Sequence, residues 1–90
     1  MTGNFAKMVL LANQTSMTTG ALPVWTIYDH PRDHPNGFIA RLHEVKGTPR
    51  PTDQAIIGDL GALRGVFLQA GLICVCRQDG DDPVIVETWI

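Results

Sequence analysis

Only one stretch of this chain, residues 60–70, combines helical spacing of apolar side chains with a stop signal at each end. It has to serve at least four segments that read as β-strands. Leu60, Leu63 and Phe67 share a stripe, Asp59 stands at the N-cap position, and Gly71 follows as a left-handed C′ residue. A helix beginning at Thr52 is the competing assignment. It places Gly58, Gly61 and Gly65 inside the helix, each at about 1 kcal/mol against alanine. Starting at Leu60 removes one of these glycines and leaves residues 54–57 as a short strand. One amphipathic helix is too narrow to cover four or five strands on both faces. The second face is therefore expected to be wet or to meet another copy of the chain.

The strand signals are local. Val24, Trp25, Thr26, Ile27 and Tyr28 are mostly aromatic or β-branched. They stop at residues 29–37, where Pro31, Pro35 and Asn36-Gly37 demand a loop. In residues 38–45, Phe38, Ala40 and Leu42 point to one side and Ile39, Arg41, His43 and Val45 to the other, so the first set is expected to meet the core. Residues 46–53, with Pro49 and Pro51, read as a stiff connector. Residues 72–77 are almost continuously hydrophobic, as in a central strand. A turn around Asp79-Gly80 then leads to residues 84–90, which pair back as a hairpin. The expected fold is α+β: a small antiparallel sheet of four or five strands in the order ββ(β)αββ, with one helix packed on one face. Residues 13–20 are small and polar with no period, so residues 1–21 are expected to form a flexible N-terminal tail and residues 22–90 the single domain.

Composition narrows the function classes. A chain of 90 residues buries about 64% of its extended surface, enough for one modest core. Hydrophobic residues at 44% against 18% charged residues fit a packed globule rather than a disordered chain. The net charge is −2 and the arginines are scattered, so nucleic acid is not an expected partner. The apolar run at residues 8–12 is shorter than the roughly 18 to 20 residues of a membrane span or the roughly 7 to 15 of a signal-peptide core, and the expected location is cytoplasmic. Cys74 and Cys76 stand one residue apart, with Cα atoms about 6.5 to 7 Å apart in an extended chain, at the limit for a disulfide. They are expected to be reduced and buried.

The segment richest in chemistry is Asp29-His30-Pro31-Arg32-Asp33-His34-Pro35, an Asp-His-Pro unit repeated after four residues. Asp29, His30, Asp33 and His34, joined by His43 on the facing strand, are candidate ligands for zinc, nickel or iron. The spacing matches no established ligand motif, and the bland alternative is a loop in which Asp29 and Asp33 accept backbone N–H groups. The same residues could orient a general base, but no nucleophile accompanies them, so no catalytic residue is assigned. The acidic turn at residues 79–82 lacks the downstream glutamate of a calcium loop. Gly61 and Gly65, four apart on one side of the helix, form a smooth strip, and together with Trp25 and Trp89 they are the interface candidates.

Residues 25–31, Trp-Thr-Ile-Tyr-Asp-His-Pro, and residues 82–89, Asp-Pro-Val-Ile-Val-Glu-Thr-Trp, resemble the two ends of a group of short uncharacterised bacterial proteins. The resemblance spans residues 24–90 and implies a shared small domain, with no activity, cofactor or partner attached. The functional expectation is a non-enzymatic domain, without cofactor, that self-associates as a homodimer or binds a protein partner. The alternative is a metal-binding or hydrolytic protein built on the Asp-His-Pro loop.

Overall fold

The computed structural model describes residues 2–90. In chain order its elements are α1 (Thr2–Thr18), β1 (Leu22–Asp29), β2 (Phe38–Lys46), β3 (Thr48–Gly58), α2 (Leu60–Gln69), β4 (Cys74–Cys76) and β5 (Ile85–Trp89). The five strands form one antiparallel sheet in the order β3-β2-β1-β5-β4. The α+β class and the antiparallel sheet are those read from the sequence. No helix among the described residues is long and apolar enough to cross a membrane.

Register decides which side chains form the core. Trp25 lies opposite Leu42 and Trp89, and Ala40 lies opposite Ile27 and Ile56. These residues share a face because side chains alternate along each strand. Leu63, Val66 and Phe67 of α2 and Val9 of α1 close over that face in one buried cluster. Phe67 sits between the two indoles, with ring centroids 5.5 Å from Trp25 and 5.6 Å from Trp89. Trp25 and Trp89 are 0% and 3% exposed, so they are core residues and not the interface candidates the sequence suggested. An indole supplies more apolar area than any other side chain, and a small core uses it inside.

The helix α2 begins and ends where its signals lie. Asp59 accepts a hydrogen bond from the Ala62 N–H at 2.8 Å. At the other end, Gly71 has φ +83, its N–H reaches the Leu68 carbonyl, and the Leu72 N–H reaches that of Phe67. This is a Schellman close.

Residues 2–18 correct the tail assignment, of which Met1 lies outside the described residues. They form α1, and two helices, not one, cover the sheet. Ala6, Val9, Asn13 and Ser16 recur at helical spacing and are all buried. Half of that stripe is polar, so an apolar period is absent from the sequence, yet each polar member has a partner. Asn13 Oδ1 accepts the Trp25 indole N–H at 2.8 Å, and the Ser16 hydroxyl donates to Glu44 at 2.8 Å. The helix ends as α2 does: Gly20 has φ +82, and the Gly20 and Ala21 N–H groups reach the Met17 and Ser16 carbonyls.

Two strand assignments also change. The expected connector at residues 46–53 is mostly strand, since β3 starts at Thr48 and carries Pro49 and Pro51 opposite Val45 and His43. Proline is tolerated there because β3 is an outer strand. A register shift between Arg41 and His43 marks the kink, where the Thr52 hydroxyl donates to the Leu42 carbonyl. The run expected to be central is instead the other edge: β4 pairs only with β5, and Cys74 and Cys76 are exposed free thiols. The central place belongs to β1, which pairs with both β2 and β5.

Replacing Asn13 with alanine leaves the buried Trp25 N–H without an acceptor and should lower stability by about 1–3 kcal/mol in urea unfolding. A residue in an undocked tail would change it by less than about 0.5 kcal/mol.

Candidate functional site

The loop between β1 and β2 is held by its own backbone. The His30 N–H reaches the Gly37 carbonyl at 2.9 Å, and the His34 N–H reaches that of Pro31 at 2.9 Å. His30 takes φ +47, a left-handed conformation uncommon for a residue with a side chain. Its Nδ1 contacts Asp29 Oδ1, and its ring meets Phe38 edge-on at 5.4 Å between centroids. His30 and His34 face a cleft of about 430 Å³ whose other walls include Phe38, Ile57 and Asp59.

The remaining loop candidates are drawn elsewhere. Asp33 pairs with Arg41 of β2. His43 lies on the sheet face away from the helices, where its Nε2 is 3.4 Å from the Tyr28 hydroxyl and its Nδ1 is buried without a partner. Burial holds the His43 ring below the ordinary histidine pKa of 6.5, favouring the neutral form, and raises the Tyr28 phenol. The five candidates therefore divide into an Asp29–His30 pair, an Asp33–Arg41 pair, a Tyr28–His43 pair and His34. Among the described residues no three histidine, cysteine or acidic side chains converge as metal ligands. The cleft walls offer an oriented imidazole but no serine, threonine or cysteine beside it. The two thiols stand on β4, at the far edge of the sheet from β3.

Among the described residues no helix lies over the sheet face bearing His43, because α1 and α2 both join the core on the opposite side. Its centre is nonetheless dry. Thr26 is 8% exposed and Ile39 4%. The Tyr28–His43 contact runs from one end of β1 to the middle of β2 and so crosses the row holding Thr26 and Arg41. Long side chains lying flat on the sheet do part of a second layer's work. The uncovered apolar groups are marginal: Leu22 at the end of β1, Ile57 on β3, and Ile73, Val75 and Ile90 around β4. Of the glycine strip, Gly65 faces open space and Gly61 has only the Asp59 carboxylate within 4 Å, so among the described residues no other element occupies it.

One group went unread in the sequence. Glu87 of β5 is buried, receives two hydrogen bonds from the Arg64 guanidinium at 2.9 and 2.8 Å, and accepts the Trp89 indole N–H at 2.9 Å. The available signal was the alternation of β5, which puts Glu87 on the core side with Trp89 and therefore in need of a cation. Arg64, four residues after Leu60 on α2, supplies it.

The chain matches no protein-family model, no curated protein and no solved structure.

The Arg64 guanidinium, with the indole N–H, holds the Glu87 carboxyl below the ordinary value of 4.5. A carboxylate depressed in the folded state adds stability above its unfolded pKa and loses it as pH falls through the folded one. The urea midpoint should therefore drop on acidification below 4.5, and Glu87→Gln should flatten that dependence in a pH series.

Proposed function

We propose that the domain is a non-enzymatic self-associating module whose partner is a second copy of the chain, as a homodimer. The observation carrying this reading is the one-sided placement of the helices. Both join the core on one face of a five-stranded sheet, and large apolar side chains at the margins of the other face stay in water. Ile57 and Ile73 are 62% and 69% exposed. Uncovered apolar side chains gathered at one margin, Ile73, Val75 and Ile90 beside β4, mark a contact site on a small domain. The cytoplasm suits the two exposed free thiols, since a reducing compartment keeps such groups unpaired. Light scattering after size exclusion, run across the micromolar range, should report twice the chain mass at the upper concentrations. A strict monomer throughout would overturn the reading.

A second reading, a metal-binding or hydrolytic loop, draws on the Asp29–His30 pair at the mouth of the cleft, because a carboxylate on Nδ1 fixes the ring and leaves Nε2 as the reactive nitrogen. Zinc or nickel bound by the folded chain would raise the melting temperature. On the self-association reading, untagged protein shows no shift with either ion, and the His30→Ala, His34→Ala double variant melts identically in their presence and absence.

A further inference from the structure

The two edges of the sheet are built differently. On β3, Pro49 and Pro51 remove backbone donors and Arg50 and Asp53 add charge, the usual means of keeping an edge from pairing with another chain. On β4 the residues are Cys74, Val75 and Cys76, with no proline and no charge. Ile73 and Ile90 exchange both backbone hydrogen bonds, at 2.7 and 2.9 Å. Antiparallel ladders alternate, so the N–H and C=O groups of Cys74 and Cys76 turn outward from the sheet. The Gln78 side-chain amide donates to the Cys76 carbonyl at 3.0 Å, and among the described residues no strand lies beyond the other outward groups.

Exposed apolar side chains gather at the same margin. Ile73, Ile90 and Val75 are 69%, 46% and 37% exposed. Leu68 of α2, 65% exposed, lies one turn beyond Arg64 on the helix side that reaches β5. The exposed Leu10, Leu11 and Met17 stand on α1, whose backbone groups are paired within the helix and leave no free ladder beside them.

We infer that the β4 edge pairs with the β4 edge of a second copy, antiparallel about a two-fold axis at Val75, joining the two sheets into one. This placement rests on the self-association reading and specifies where it occurs. The strand is symmetric about its centre: Cys-Val-Cys reads the same in both directions. The axis sets Val75 against the partner's Val75 and Cys74 against the partner's Cys76. In that register the outward groups of both strands meet in four backbone hydrogen bonds once the Gln78 amides swing aside. Such a contact is isologous and closes at two copies. No like charges face each other on the paired strands, while Leu68, Ile73 and Ile90 widen the contact on both layers. The paired strands are three residues each, so the contact is small and its dissociation is concentration-dependent.

Sedimentation in excess reductant, which excludes thiol cross-linking, tests the placement. Cys74→Pro removes an outward N–H without touching the β4–β5 bonds and should weaken the dimer at least tenfold with an unchanged circular dichroism spectrum. Val75→Lys sets two ammonium groups across the axis and should do the same without relying on a proline. Ile57→Lys, on the far margin, should leave the dimer intact. If the wild type dimerises and both β4 variants dimerise equally well, the edge placement is wrong and self-association stands. If Ile57→Lys alone dissociates the dimer, the contact lies on the open face and the edge placement is again wrong. A wild type that remains monomeric removes the self-association reading itself.

Discussion

The core of this domain depends on finding acceptors for two buried indole N–H groups. Trp25 and Trp89 supply much of its apolar bulk, but each brings a polar atom that cannot be left dry without a penalty of about 1–3 kcal/mol. The chain solves the problem with one helix per indole. Asn13 reaches Trp25 from α1, while Glu87 holds Trp89 and is itself anchored by Arg64 from α2. The hydrogen bonds therefore fix the seats of both helices as well as satisfying the ring nitrogens. Apolar contacts alone would let either helix slide along the sheet; directional bonds do not.

This arrangement explains what could be read from the sequence and what could not. β1, β2 and α2 were legible because their signals are local: alternation around Trp25 and Leu42, an Asp59 cap, a Gly71 close. The helix α1 was hidden because Asn13 and Ser16 occupy inward positions that a periodicity argument reserves for apolar groups. Their partners, Trp25 and Glu44, are distant in sequence. Gly20 was the one local hint, standing where a helix would stop. The prolines of β3 and the hydrophobicity of β4 misled for a common reason. Edge or centre is a property of the whole sheet: the prolines that read as a connector mark β3 as an edge, and nothing in Cys74-Val75-Cys76 marks β4 as one.

The loop site was legible in part. That Pro31, Pro35 and Asn36-Gly37 force a loop carrying His30 and His34 follows from the residues alone. That Asp33 turns to Arg41 while His43 turns to Tyr28 follows only from strand register, which sets Arg41 opposite Thr26 and His43 opposite Val24. A cluster that looks dense in sequence is thereby divided among three separate pairs and a lone His34. The Tyr28–His43 pair explains how a sheet with helices on one side keeps Thr26 and Ile39 dry on the other.

The position of β5 between β1 and β4 bears on how the molecule reaches this state. The strand order departs from chain order there, and Trp89 must find Trp25 across nearly the full span of the domain. Local pieces, the β1–β2–β3 meander and α2, can assemble early because their contacts lie close in sequence. Docking of β5 on β1 joins the most widely separated residues paired in the sheet, Trp25 with Trp89, and carries the largest loop-closure cost. Until it happens, one side of β1 is a bare ladder and Phe67 lacks one of its two indole neighbours. A chain in which β5 is undocked exposes the strand that the folded sheet places at its centre.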